Sequence, residues 1–256
     1  MNDKQALIRA YRRDRRNLEV PNFIREDLGS VVRYSPVRGD AEGFICFTNI
    51  SAAELDLEIE RHAAHFRRMG VGFEWKVYGS DEPEDLGARL AEAGFEQGEP
   101  ESLMVYDVAG FRPREEAATR GIDDVRQVSD IVMLEQIASL QEKVWRRSFP
   151  WLLEHLRSMW NDTAFYAAYH ERQIVGAGWI EYPKASRFAE LHGGAVLPEF
   201  RGRGVYSRLF ELRMLDARDR GFGSVAVDAA PMSRPILEAK GFEWLDSTYP
   251  MTWSAH

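Results

Sequence analysis

One stretch constrains the chain more than any other: residues 188–215, reading FAELHGGAVLPEFRGRGVYSRLFELRML. Leu191, Ala195, Val196 and Leu197 mark a buried strand with two glycines inside it. Val205, Leu209, Leu212 and Leu215, spaced at three and four residues, mark one face of a helix. Between them lies Arg201-Gly202-Arg203-Gly204, directly before the first helical turn. The first amides of a helix have no intrahelical acceptor, and the helix dipole adds partial positive charge there. Glycines let an anion approach the backbone, while arginines add formal charge and forked donors. A strand, this loop and a helix N-terminus together make a cradle for a pyrophosphate.

Spacing separates the families that use this device. The chain has no G-x-x-x-x-G-K-S/T, which excludes a P-loop, and no G-x-G-x-x-G, which weakens a dinucleotide-binding reading. What fits is Arg201-x-x-Gly204, preceded by Val196-Leu197-Pro198-Glu199-Phe200. This resembles the acetyl-CoA-binding motif of the GNAT N-acetyltransferase superfamily, Gln/Arg-x-x-Gly-x-Gly/Ala. Tyr206 stands where that pattern has a small residue, so its side chain needs a place to pack.

The 256 residues suffice for one large or two modest domains. A net charge of −8 argues against general nucleic-acid binding, and the cluster Arg9, Arg12, Arg13, Arg15 and Arg16 reads as the solvated face of a helix. No apolar run approaches a membrane span, and the N-terminus lacks an apolar signal core. Cys46, the single cysteine, sits in the apolar run GFICFTNI and reads as a small buried hydrophobe. These features predict a cytoplasmic protein without membrane association. No His, Cys or Asp cluster at ligand spacing points to a metal.

In chain order, the pattern predicts a helix over 4–17, strands over 30–34 and 43–50, and a helix from Ser51 to Met69 opened by a Ser51/Glu54 capping box. A strand over 73–78, a helix over 83–93, the pair Gly94-Phe95 and a strand over 102–108 follow. Pro113 and the acidic-alanine stretch after it read as a linker. The second part opens with a helical region over 125–160, broken at Pro150 and rich in aromatics (Trp145, Phe149, Trp151, Trp160) that either pack in a core or wall a pocket. Strands over 164–169 and 174–182 lead to the signature strand and helix. A strand over 224–228, a helix from Ser233, the pair Gly241-Phe242 and a final strand to Trp253 close the chain.

The order helix, glycine, strand, helix, Gly-Phe, strand occurs twice, from Ser51 to Val108 and from Val205 to Trp253. This predicts an internal duplication. The expected fold is α/β with a splayed mixed sheet flanked by helices, in two tandem GNAT-like units: a degenerate one over 1–112 and an acetyltransferase domain over 121–256. In the first, Asn49-Ile50-Ser51 replaces the phosphate loop.

The resemblance implies acetyl-CoA as co-substrate, lying between two parallel strands that part, 190–197 and 224–228. Its pantetheine arm would pair with the backbone at Val196 and Leu197. Its pyrophosphate would rest on Arg201, Gly202, Arg203, Gly204, Val205, Tyr206 and Ser207. Glu190 occupies the position, relative to Arg201, of the general-base glutamate in histone-modifying members, and strand alternation puts His192 on the same face. The tyrosine and asparagine common to the family are replaced by Leu237 and Ala230, so the usual general acid is missing. The expected function is acetyl-CoA-dependent N-acetyl transfer to a primary amine of a small molecule or peptide. Glu181, Glu190 and Asp228 favour a cationic acceptor. The alternative is a non-catalytic acyl-CoA-binding or regulatory protein. A monomer or a homodimer fits either case.

Overall fold

The structure is a computed structural model that describes residues 2–37, 41–113, 119–184 and 186–255. The stretch 114–118, most of the expected linker, lies outside the described residues. The chain divides into two compact units. One comprises Met1–Val105, Lys184–Ser186 and Asp228–His256; the other comprises Tyr106–Pro183 and Arg187–Val227.

The first unit begins with helix α1 (Asn2–Arg16), then β1 (Phe23–Asp27), β2 (Val31–Pro36) and β3 (Gly43–Thr48). Helix α2 (Leu55–Met69), β4 (Phe73–Tyr78), α3 (Leu86–Glu92), β5 (Glu96–Gln97) and β6 (Glu101–Asp107) follow. β1, β2 and β3 are antiparallel neighbours, and α2 is the crossover that makes β4 parallel to β3. Leu55, Ile59, His62, Ala63 and Phe66 form the buried face of α2 and pack with Phe73 and Trp75 of β4. A Cβ on Gly43 would sit 2.0 Å from the Phe66 ring, so glycine is required where that helix crosses β3.

Three expectations for this region are corrected. Strand β1 escapes the pattern because three of its five residues are charged, as suits an edge. The capping box does not form: Ser51 Oγ bonds the Glu54 carboxylate at 2.5 Å, and α2 begins only at Leu55 with Glu54 as its cap. The basic cluster is a solvated face only in part: Arg9 and Arg13 are exposed, but Arg12 and Arg15 turn inward. β3 and β4 pair only through Gly43–Ile45 and Phe73–Trp75, meeting again at the isolated bridge Asn49↔Glu82. Beside that divergence Arg12 donates to Ser80 O (2.8 Å), Thr48 O (2.7 Å) and Asn49 Oδ1 (3.1 Å). Arg15 is buried, 2.9 Å from Asp81 and 3.5 Å above the Tyr78 ring. Cys46 is buried nearby, as expected, and burial pushes its thiol pKa up to about 11.

The second unit carries β7 (Asp124–Gln127), α4 (Leu134–Trp145), α5 (Leu152–Ser158), β8 (Thr163–His170), β9 (Gln173–Glu181), β10 (Phe188–Val196), α6 (Val205–Asp219) and most of β11 (Ser224–Ala229). Its strand order is β11-β10-β9-β8-β7, parallel between β11 and β10 and antiparallel elsewhere. β7 corrects the expectation of a helix from residue 125; its pairing with β8 overrides a polar, unpatterned sequence. On α6 the buried side chains are Val205, Leu209, Phe210, Glu211, Arg213, Met214 and Ala217, whereas Leu212 and Leu215 are only half-buried.

The chain ends with α7 (Arg234–Glu238) and β12 (Glu243–Trp253), both in the first unit. There β12 lies between β4 and β6, antiparallel to both.

Candidate active site

The site begins where two parallel strands stop pairing. β10 and β11 are in register over Phe188↔Ser224, Ala189↔Val225 and Glu190↔Ala226, and the pairing goes no further. On its other side β10 stays paired with β9 from Glu190↔Glu181 to Val196↔Gly176, interrupted by a bulge between His192 and Ala195. Gly193 and Gly194 form that bulge, with Gly193 in the left-handed region at φ 60°. A Cβ on Gly193 would lie 1.7 Å from the Trp179 ring.

Glu190 and His192 share a face, as alternation predicts. His192 Nε2 lies 3.6 Å from Glu190 Oε2 and 3.6 Å from Glu181 Oε1, so two carboxylates converge on one imidazole. Glu181 is also held by the Trp179 indole N–H at 3.2 Å, and the Trp179 ring stacks near His192. His155 of α5 belongs to the same surroundings. Burial holds its pKa below the usual range, while Glu181 opposes that shift and His192 adds to it. The Trp151 ring meets His155 edge-on, at 5.6 Å between centroids. Of the four aromatics, Trp145 and Trp151 are about half exposed, whereas Phe149 and Trp160 pack on the core. Asp228 belongs to the first unit, where it accepts from Tyr78 Oη (3.3 Å) and lies 3.4 Å from Lys76 Nζ.

After β10, Leu197 N–H donates to Val175 O at 2.9 Å, extending the pairing with β9. Val196 and Leu197 alternate, so the backbone groups of Val196 face the opposite edge. There Val196 O accepts from Arg201 Nε at 3.2 Å. A short helical turn, Pro198–Phe200, leads into the loop. Gly202 (φ 70°) and Gly204 (φ 82°) are left-handed, and Gly204 is the N-cap of α6. As a glycine it brings no capping side chain, and the helix ladder starts at Arg208 N–H to Gly204 O (3.0 Å). A Cβ on Gly202 would meet nothing within 4 Å. Arg201 is exposed, and Arg203 lies over the Phe200 ring at 4.9 Å. The loop is thus open and cationic and leads into a helix N-terminus, which suits an anionic phosphate.

Tyr206 finds its place beneath the bulge. A Cβ on Gly194 would lie 3.0 Å from the Tyr206 ring, so a glycine on the strand makes room for the bulky residue on the helix. β9 helps in the same way: a Cβ on Gly176 would lie 2.8 Å from Val205.

Residues 131–235 match the family model described as Acetyltransferase (GNAT) family. Over that stretch the chain is similar to the GNAT acetyltransferases. Solved structures with a similar fold include a GCN5-related N-acetyltransferase from Kribbella flavida, with TM-score 0.71 and 12% identity, covering 98% of this chain and 94% of that one. Another, from Sphaerobacter thermophilus, has TM-score 0.65 and 13% identity, covering 89% and 77%. A tandem GNAT protein from the clavulanic acid biosynthesis pathway has TM-score 0.64 and 12% identity, covering 94% and 86%. Among curated proteins none matches. The GNAT fold extends over nearly the whole chain, in the tandem arrangement expected from the internal repeat. Among the described residues no helix is long and apolar enough to cross a membrane.

The GNAT domain also contains functional candidates that sequence reasoning passed over. Gln141 of α4 donates to Gly193 O at 2.6 Å and accepts from the Trp145 indole at 3.1 Å. Arg213 of α6 lies fully buried against β9 and β10. The one sequence signal was the adjacent glycine pair inside an apolar strand, which marks a bulge.

Proposed function

We propose that the protein is an acetyl-CoA-dependent N-acetyltransferase acting on a primary amine of a small molecule or peptide. The observation that carries this reading is the parting of β10 and β11 after Glu190↔Ala226, next to an α6 N-terminus whose N-cap is the left-handed Gly204. The residues fit the co-substrate. The open loop from Arg201 to Ser207 would hold the pyrophosphate, and the edge at Val196 would take the pantetheine arm; the Leu197 amide is committed to β9. The co-substrate supplies an activated acyl thioester. Transfer forms a C–N bond, breaks the C–S bond and passes one amine proton to the departing CoA thiolate; a cationic amine must first release another. Glu190 takes that proton, directly or through a water, with His192 Nε2 3.6 Å from its carboxylate. Glu181 adds a second negative charge that favours a cationic amine, and the half-exposed Trp145 and Trp151 offer faces for its apolar part. The half over 1–112 carries no co-substrate in this reading, because the arginines of α1 occupy the divergence of β3 and β4. The half over 121–256 carries the reaction.

The test is thermal unfolding with and without acetyl-CoA, together with turnover on an amine library. Binding to the folded state alone stabilises by about 2.7 kcal/mol at a hundredfold excess over Kd. Wild type and Glu190→Gln should both shift, Arg201→Ala/Arg203→Ala should not, and Glu190→Gln should lose most turnover. Binding without turnover by any amine would favour the non-catalytic alternative. No shift in wild type would end the acetyl-CoA reading.

A further inference from the structure

The connection from α4 to α5 reads Trp145-Arg146-Arg147-Ser148-Phe149-Pro150-Trp151 and turns large side chains outward. Trp145 is 51% exposed and Trp151 54%, and Arg146, Arg147 and Ser148 are exposed between them. Two indoles half in water on one short connection make an apolar patch that the core does not use.

Beside the patch lies an open hollow of about 370 Å³, lined by Ser139, Glu142, Lys143, Arg146, Arg147 and Ser148. Its one carboxylate is turned to the loop: Glu142 Oε1 accepts from Ser148 Oγ at 3.1 Å and from Phe149 N–H at 2.8 Å. Lys143, Arg146 and Arg147 form no ion pair with any described residue. Lys143 lies in the last turn of α4 and complements the helix dipole, whose influence ends there. Arg146 and Arg147 come after that turn. In a chain of net charge −8, three cations without a counter-ion converge on one hollow. Guanidiniums, an ammonium and hydroxyls all donate, so the hollow suits an anionic group.

Aromatic rings connect this hollow to the candidate active site. Arg147 lies over Phe149 at 5.5 Å, Phe149 meets Trp151 at 6.2 Å, and Trp151 meets His155 at 5.6 Å. His155 is close enough to Glu181 and His192 for their charges to act on it. From the other end of the loop, the Trp145 indole bonds Gln141, which bonds Gly193 O of β10. The surface thus runs from the carboxylates Glu181 and Glu190, past indoles, to guanidiniums. A ligand that matches it carries a cationic amine at one end and negative charge at the other. With three ring spacings between the ends, that ligand is long, and an extended peptide advances about 3.3–3.6 Å per residue. A nucleic acid would bring dense phosphate charge against an acidic protein, whereas one or two acidic side chains gain the local attraction without that repulsion.

We propose that the α4–α5 loop docks an acidic peptide, with its N-terminal amine at Glu181 and Glu190 and an acidic side chain farther along at Lys143, Arg146 and Arg147. This rests on the acetyltransferase reading above and narrows its acceptor from any primary amine to a peptide of one charge pattern. Trp145 and Trp151 cover the stretch between the two ends.

The test is acetyl-CoA-dependent turnover of heptapeptides with a free N-terminus and a neutral sequence, through which a Glu-Glu pair is moved. The same peptides with Gln-Gln or Lys-Lys are the references. Exposed ion pairs are individually weak, so the cations together should favour the Glu peptide by roughly 5–20-fold in kcat/KM, chiefly through KM. The advantage should peak several residues from the amine and shrink as salt rises. In Arg146→Gln/Arg147→Gln the preference should vanish, and in Arg146→Glu/Arg147→Glu it should pass to the Lys peptide, a gain that an unfolded variant cannot show. Equal kcat/KM for Glu and Gln peptides in wild type overturns the proposal. So does a preference that survives both variants, or turnover of small amines with no turnover of any peptide. Salt-sensitive binding of a single-stranded oligonucleotide that needs Arg146 and Arg147, without a peptide preference, would give the surface to nucleic acid and overturn the peptide. Absence of acetyl-CoA binding in wild type would instead overturn the functional reading. Peptide titrations followed by tryptophan fluorescence would then decide docking alone: tighter binding of the Glu peptide that is lost in the Gln variant upholds it, and equal binding of Glu and Gln peptides refutes it.

Discussion

His62 makes the first unit sensitive to acid, and its surroundings set the size of the effect. The ring is wholly buried in α2, edge-on to Trp75 at 5.5 Å between centroids. Arg33 Nη1 lies 3.4 Å from Nδ1 and has only protons to offer, so Nδ1 must be the acceptor. That leaves the proton on Nε2, which faces Glu58 Oε2 at 3.4 Å. The neutral ring accepts from Arg33, whereas protonation would set an N–H against a guanidinium. Burial, then Arg33, His65 and Arg61, hold the pKa down to about 3, against 6.5 in the unfolded chain. The folded pKa is depressed, so the unfolded state binds the proton first. The stability contributed by the neutral ring is whole above pH 6.5 and is lost as pH falls from there towards 3. Each pH unit in that window removes about 1.4 kcal/mol, or about 2.7 kcal/mol by pH 4.5. Urea unfolding of wild type and His62→Gln, followed by circular dichroism between pH 7.5 and 4.5, gives the difference free of other titrating groups such as Glu26, Glu58 and His65. The wild type should lose about 2–3 kcal/mol more than the variant across that range. Parallel pH profiles for the two proteins would refute the reasoning.

Three further outcomes follow from packing and charge. Gly193→Ala forces a Cβ to within 1.7 Å of Trp179 at φ 60°, and should cost about 2–4 kcal/mol in urea unfolding from overpacking and backbone strain together. Gly202→Ala, at φ 70° but with nothing within 4 Å, should cost only about 1–2 kcal/mol. Arg15→Met or Asp81→Leu alone should each cost about 3–5 kcal/mol by stranding the partner, while the double variant should recover most of that loss; additive costs in the double-mutant cycle would contradict a coupled pair.

The strand, loop and helix of the GNAT motif were legible because each carries its own local signal: alternation in β10, two left-handed glycines in the loop, and spaced apolar residues in α6. The meeting of Glu190 with His192 was legible for the same reason, since a period of two needs no tertiary information. What escaped was structure created by pairing. β1 and β7 are polar edge strands whose identity comes from β2 and β8. Arg12 and Arg15 read as solvated helix residues, and Arg213 drew no notice, because a sequence shows charge but not the carbonyls waiting for it. Leu209, Arg213 and Ala217 do form a stripe at a spacing of four, a hint that the arginine points inward, but Leu212 and Leu215 offered a more apolar face that the fold does not bury as deeply.

The position of β12 has a consequence for how the protein is made. This strand pairs over six residues with β4 and also with β6, filling a central place in the sheet of the first unit. As the polypeptide leaves the ribosome, residues 1–105 therefore emerge as a sheet with a gap, its two flanking strands exposing unsatisfied edges. More than a hundred residues must be added before the strand that closes it is available. Such non-local closure is slow and leaves open edges vulnerable to pairing with other chains. The unit synthesised first is thus completed last, and a nascent chain halted before Glu243 is a substrate for chaperones and proteases.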